Sequence, residues 1–245
     1  MMHNVLVTGG SRGIGHAIAQ RLAAAGYNVI AVARSESDAL RETIRDVAKH
    51  GSGGLHFRAF DLSAIDAIPA FVKSVRDEFG AIYGLVNNAG IGTEGLLATQ
   101  HNSEIEALVR LNVTSPIILT KYVARHMMAD GEGRIINMSS IIATTGYNGL
   151  SVYGATKAAA TGFTRSLARE VGKLGITVNA IAPGFIDTEL TQTLSEDQRK
   201  RIAGRSALRR LPQTDDVARM VEYLLGEGGR NITGSVMTID AGNTA

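Results

Sequence analysis

Short β-branched runs alternate with longer stretches of helical period along the whole chain. The runs "NVLVT", "NVIAVA", "LHFRAF", "YGLVNN", "GRIINMS", "TVNAIAP" and "SVMTID" are of strand length and mostly apolar. Between them lie helical patterns such as "IGHAIAQRLAAAG", "SDALRETIRDVAKHG", "AIPAFVKSVRDEFG", "TKAAATGFTRSLAREVGKLG" and "TDDVARMVEYLLG", with one long helical pattern around "EIEALVRLNVTSPIILTKYVARHMM". Strands this apolar must be covered on both faces, and helical crossovers between them make parallel neighbours. The pattern predicts an α/β fold: a doubly wound (Rossmann) parallel sheet of about seven strands with helices on both faces. No linker, repeat or low-complexity segment interrupts it, so residues 1–245 read as a single domain.

Composition narrows the chemistry more than the location. The formal charge is +2 with no long run of one sign, which argues against nucleic-acid binding. With no cysteine, disulfides, thiolate metal ligation and cysteine nucleophiles are excluded, and no metal is expected. The N-terminal "MMHNVLVTGG" lacks the basic and apolar regions of an export signal, so a cytoplasmic enzyme is expected. The uncharged stretch from Ile135 to Thr156 is interrupted by Asn137, Ser139, Ser140, Thr144, Thr145, Asn148 and Ser151, which makes it buried protein and not a bilayer span.

In "LVTGGSRGIGHAIA", Gly9, Gly13 and Gly15 follow a predicted strand and open a predicted helix. Side chains missing there let backbone N–H groups approach a pyrophosphate at the positive end of the helix, although glycines also serve ordinary tight turns. The second strand ends in "VIAVARS", which puts Arg34 where an acidic residue would hold a ribose 2′-hydroxyl and a basic one suits a 2′-phosphate. Arg12 in the glycine loop can reach the same phosphate, and the pair points to NADP(H); the alternative is two solvated surface arginines.

In "SVYGATKAA", Tyr153 and Lys157 stand one helical turn apart. An ammonium beside a phenol favours the phenolate, so Lys157 is expected to lower the Tyr153 pKa; the bland reading is a helix face with a snorkelling lysine. Position favours the first, because Ser139 and Ser140 end the strand "GRIINMSS" and doubly wound sheets place ligands at the carboxyl ends of their strands.

"TGGSRGIG", "DL" at 61 to 62, "NNAG" at 87 to 90, "LN" at 111 to 112, "INMSS", "YGATK" and "APG" at 182 to 184 stand in the order and spacing of the short-chain dehydrogenase/reductase family, over nearly the whole chain. Phrases such as "LVNNAGI", "SLAREVGKLGITVNAIAPGFIDTEL" and "ITG" resemble the 3-oxoacyl-[acyl-carrier-protein] reductases. The resemblance implies Tyr153 as proton donor, Lys157 as its tuning partner and holder of the nicotinamide ribose, and Ser140 as the hydroxyl polarising the carbonyl. It implies Asn112 as support for a water relay to the lysine, with Ser139 a bystander. For the cofactor it implies Gly9, Ser11, Arg12, Gly13, Ile14 and Gly15 in the loop, and Arg34 at the 2′-phosphate. Asp61 and Leu62 would flank the adenine, and Asn88, Ala89 and Gly90 the adjoining ribose. Tyr153 and Lys157 also touch the cofactor, as do Pro183, Gly184, Ile186 and Thr188 near the nicotinamide. Asp61 has the alternative reading of a helix cap, and Asn88 and Asn112 of buried turn or helix amides. A homotetramer built through the helices near 102 to 126 and 153 to 173 is implied, with a small lid at about 185 to 210.

Several positions depart from that subgroup. Its members carry basic residues before "GRI" and before "GIT", where the acidic carrier docks; here these read "ADGE" and "GKL", leaving Lys173. Leu150 stands where glutamine is common three residues before the tyrosine. Arg199, Lys200, Arg201, Arg205, Arg209 and Arg210 crowd the lid and offer another docking site for acyl carrier protein or coenzyme A thioesters, or else a solvated face. The expected activity is NADPH-dependent reduction of a 3-oxoacyl thioester. A reductase of a free ketone, alcohol or sugar and a non-catalytic dinucleotide sensor are the alternatives.

Overall fold

The structure is a computed structural model that describes residues 2–50, 52–92, 94–186 and 196–245. Its first half alternates β1 (Asn4–Thr8), α1 (Gly13–Ala24), β2 (Asn28–Ala33), α2 (Asp38–His50), β3 (Gly54–Ala59), α3 (Ile68–Phe79) and β4 (Ile82–Asn87). The second half runs α4 (Asn102–Val109), α5 (Ser115–Asp130), β5 (Gly133–Met138), α6 (Ile142–Thr145), α7 (Ser151–Val171) and β6 (Ile176–Pro183). It closes with α8 (Glu196–Arg205), α9 (Thr214–Leu225) and β7 (Val236–Ile239). The seven strands form one parallel sheet in the order β3-β2-β1-β4-β5-β6-β7, as the alternation predicts.

Successive residues of β1 face opposite sides of the sheet. Val5 and Val7 enter a core with Ile18, Leu22, Val217 and Val221 of α1 and α9, while Leu6 enters another with Val72, Val75, Leu119 and Val123 of α3 and α5. Both faces are thereby covered, and every residue of β6 is buried, which is why these strands show no polar alternation.

The chain winds from β1 toward β3 in one direction and from β4 toward β7 in the other, so the crossovers diverge between β1 and β4. At that switch point the carboxyl ends of β1 and β4 leave a crevice, the usual ligand position in such sheets. Thr8 ties its two walls: its hydroxyl donates to Val86 O (3.2 Å) and accepts from the amides of Asn88 (2.9 Å) and Ala89 (3.0 Å).

The long helical pattern from 104 to 128 is interrupted. A π-turn at Arg110–Thr114 separates α4 from α5, and Pro116 occupies the first turn of α5. The π-turn sets Asn112 inward, where it is buried.

Candidate active site

The glycine loop is shaped by close approaches that admit no Cβ. The amides of Gly9 and Gly10 donate to Val32 O at 2.8 and 3.2 Å, and Gly9 has φ +66°. A Cβ on Gly15 would lie 2.1 Å from Gly9 O, so the first turn of α1 sits directly on the loop. Arg12 caps α1 in extended conformation with no side-chain hydrogen bond, and the first turn has no acidic residue. The orphan N–H groups there, at the positive end of the helix, fit an anionic pyrophosphate. Ser37 holds the loop from outside, donating to Ser11 O while accepting from the Leu40 amide (3.1 Å) at the start of α2. Asn88 holds it from inside through Nδ2, which donates to Thr8 O (2.9 Å) and Gly9 O (3.3 Å). Ile14 packs onto the core behind it.

Arg34 follows the last residue of β2 and is exposed, as is Arg12. Asp61 Oδ1 accepts from the amide and hydroxyl of Ser63 (2.9 and 2.7 Å), the turn-capping role weighed from sequence. Those two bonds, with a smaller contribution from the Arg34 charge, hold its carboxyl below the usual range. Leu62 is buried beneath.

Across the crevice, α7 brings Tyr153 and Lys157 against the end of β5. Ser140 is hydrogen-bonded to the Tyr153 phenol and accepts from the Ile142 amide (3.2 Å). Ser139 turns away and donates to Lys157 O (2.9 Å). Lys157 Nζ lies 5.6 Å from the centroid of the Tyr153 ring and donates to Met138 O at 2.9 Å. Asn112 accepts from the Ile91 amide (2.9 Å) and donates to Ile91 O (2.8 Å) and Thr156 Oγ1 (3.2 Å). Its amide thus clamps the loop after β4 to α7. A Cβ on Gly90 would lie 3.1 Å from Asn112 Oδ1 and 3.7 Å from Lys157 Nζ, so Gly90 joins the same cluster. Ala89 packs beside it.

One expectation is corrected here. Burial pushes the Tyr153 phenol above its ordinary value, Ser140 alone opposes that shift, and Lys157 does not pull it down. The ammonium is spent on a backbone carbonyl and sits beside the ring. Lys157 itself is driven by burial from 10.5 to about 8.

The far wall is backbone. The Ile141 amide donates to Pro183 O (3.1 Å), and that of Gly184 to Ile239 O (2.9 Å). A Cβ on Gly184 would come within 2.7 Å of Asp240 Cβ, and Ile186 is buried. Thr188 lies outside the described residues. Beside Ser140 a cavity of about 250 Å³ is lined by Ile141, Ile142, Tyr147, Phe185, Ile202 and Arg205 among others. The sequence reading missed Thr8, Ser37 and the Tyr147–Phe185 aromatic edge (5.9 Å). The only trace of the first was the threonine in "VTGG".

The family model described as short chain dehydrogenase matches residues 3–199. The chain belongs to the short-chain dehydrogenase family. It is 41% identical over 237 residues to the 3-oxoacyl-[acyl-carrier-protein] reductase FabG of Escherichia coli, covering 97% of this chain and 95% of that one. The corresponding Pseudomonas aeruginosa protein is 40% identical over 239 residues, with the same shares. Among solved structures, a Serratia marcescens short-chain dehydrogenase/reductase double mutant superposes with TM-score 0.92 at 32% identity, covering 99% of this chain and 98% of the other. A blue fluorescent protein from a metagenomic library, in complex with NADPH, gives 0.91 at 33% with the same coverage.

In this short-chain dehydrogenase the buried lysine opposes stability. Its depressed pKa imposes a cost of about 3 kcal/mol that is complete below pH 8 and fades as the pH rises to 10.5. Lys157→Met keeps the aliphatic stem and loses one hydrogen bond, so it should stabilise the fold near neutral pH by about 2 kcal/mol, with the gain disappearing toward pH 10.5. Denaturant unfolding of both proteins across that range checks this, and a pH-independent difference refutes it.

Proposed function

We propose that the protein reduces a 3-oxoacyl thioester to its 3-hydroxyacyl form with NADPH. The observation that carries this is the contact of Ser140 with the Tyr153 phenol, with Lys157 beside the ring and a cavity lined by Ile141 and Ile142, the residues that follow Ser140. The names of the carrier-protein reductases at about 40% identity support the substrate class, and a structural neighbour in complex with NADPH supports the cofactor. NADPH supplies a hydride when bound. Tyr153, held protonated by burial, gives its proton to the carbonyl oxygen, and Ser140 donates to that oxygen as charge builds on it. Lys157 holds the nicotinamide ribose, while Asn112 keeps the adjoining loop closed on α7.

The loop Gly9 to Gly15 takes the pyrophosphate, with Asn88, Ala89 and Gly90 at the adjoining ribose. Asp61 and Leu62 take the adenine, Pro183, Gly184, Ile186 and Thr188 the nicotinamide end, and Arg12 with Arg34 the 2′-phosphate. The whole chain acts as one dinucleotide-binding domain with a lid at about 185 to 210, in the cytoplasm. Among the described residues no helix is long and apolar enough to cross a membrane. Partly exposed Val109 and Ile117 on α4 and α5 suit a tetramer paired through these helices and α7.

For a carrier-linked substrate, the basic cluster supplies a docking face. Lys200 is paired with Glu196 (2.8 Å), which reduces the part α8 plays. The segment after α8 is better placed: Ala207 and Leu208 donate to Gly242 O (3.2 Å) and Ala241 O (3.0 Å), and Arg209 adopts φ +54°. That unfavourable backbone, held by the C-terminal segment, presents Leu208, Arg209 and Arg210 outward.

Tyr153→Phe removes the proton and keeps the ring, so NADPH oxidation with acetoacetyl-CoA should collapse while NADPH binding, followed by fluorescence, survives. Substantial residual turnover overturns the assignment, and turnover of simple ketones or sugars alone would shift the substrate class. Arg34→Ala should raise the Michaelis constant for NADPH and leave that for NADH unchanged. Equal effects on the two cofactors would remove Arg34 from the phosphate site. Reversing Arg209 and Arg210 to Glu should lower kcat/KM for carrier-linked or coenzyme A substrates far more than for a small uncharged ketone, with the difference shrinking as salt is added. Proportional losses would mark a solvated face.

A further inference from the structure

The segment "RSESDALR", which leads from β2 into α2, holds two arginines and two acids, and the structure pairs them unevenly. Arg41 takes both carboxylates: its Nε donates to Glu36 Oε2 at 2.8 Å and its Nη1 to Asp38 Oδ1 at 2.7 Å. Arg34 forms no ion pair among the described residues. Its charge is felt by Asp61, whose Oδ1 is held by Ser63.

Chain connectivity alone favours another pairing. Glu36 stands two residues from Arg34, at most about 7 Å along an extended backbone, and a guanidinium fork suits a carboxylate. Arg41 is five residues from Glu36 and reaches it only because α2 turns the chain back. Ser37 starts that turn: its hydroxyl accepts from the Leu40 amide (3.1 Å), and its carbonyl accepts from the Arg41 amide (3.0 Å). The same hydroxyl donates to Ser11 O, so the segment carrying Glu36 is tied to the glycine loop. Of the two acids Glu36 matters more. Its side chain is 26% exposed against 97% for Asp38, so water screens the Asp38 charge far more strongly.

We infer that Arg41 is a positioning residue for cofactor choice: by engaging Glu36 it leaves the Arg34 guanidinium free for a 2′-phosphate and keeps a carboxylate from competing with that phosphate. The pairing stands on geometry; its kinetic consequence rests on the NADPH reading above. Without Arg41, Glu36 has Arg34 as its nearest cation in sequence, and the phosphate must then displace a carboxylate to bind.

Arg41 is exposed, so its replacement leaves the core untouched. Cofactor-free crystals of Arg41→Gln should show Glu36 turned to Arg34, with nitrogen and oxygen within about 4 Å. An Arg34 still unpaired in that variant overturns the inference, whichever cofactor the enzyme uses. In kinetics at low salt, Arg41→Gln should raise KM for NADPH about threefold, the worth of one exposed ion pair, while kcat and KM for NADH hold. Adding Glu36→Gln to Arg41→Gln removes the competitor and should return KM for NADPH to the wild-type value. A double variant as weak as the single one would mean that Arg41 meets the phosphate itself or only supports α2, and overturns the proposal, as does an unchanged KM in the single variant. Equal Michaelis constants for NADPH and NADH in the wild type would instead sink the cofactor reading and the kinetic role with it, while the pairing is decided separately by the crystals.

Discussion

Burying one ammonium is the constraint around which this site is organised. Lys157 lies within α7 against the end of β5, and a bare charge there would be intolerable without an acceptor. Met138 O supplies it at 2.9 Å, and it can do so because β5 ends at that residue, where the strand's last carbonyl turns toward the helix. The position of α7 follows from that contact. Ser139 locks the helix again through Lys157 O, and Thr156, one residue earlier, receives Asn112 from the π-turn. Tyr153 is then carried one turn back toward Ser140. Geometry that reads as catalytic is thus, in the first place, the solution to an electrostatic problem.

That solution also explains the phenol. Desolvation that drives a lysine down drives a tyrosine up, and the two groups share one environment. A pairwise picture, with ammonium lowering phenol, treats their separation as if nothing else competed for the charge. Here a backbone carbonyl competes. A protonated tyrosine suits an acid in a reduction, and burial keeps it so.

Much of this was legible in the chain because it rests on local pattern. Strand and helix periods set the sheet, the glycines of 9 to 15 marked the loop, and the Tyr153–Lys157 spacing needed only a helix. What was not legible depends on register across strands or on departures from regular helix. Thr8 is an ordinary strand threonine until β4 is set beside β1 and its hydroxyl meets two amides. The π-turn at Asn112 leaves a pattern read as one long helix, since a single extra residue barely disturbs the period. The capping role that the position of Asp61 after β3 allowed is seen in Oδ1, which accepts from Ser63.

The two walls of the crevice differ in how they are built, and the difference bears on what each can do. On the β1 side, recognition is carried by backbone: N–H groups at an uncapped helix end, held by Thr8, Ser37 and Asn88 from three directions. Such a surface has little freedom to reorganise, and it answers to charge without regard to what the ligand carries beyond its phosphates. On the β5 side, side chains project into a cavity whose rim is aromatic and basic, at Tyr147, Phe185 and Arg205. Tyr147 and Phe185 lie on irregular segments and Arg205 ends α8, while the Ile141 amide ties the segment after β5 to Pro183 at the end of β6. Changes there alter the cavity without disturbing the loop or the buried lysine. Substrate choice can therefore diverge on this wall while the dinucleotide site and the proton-transfer pair stay as they are.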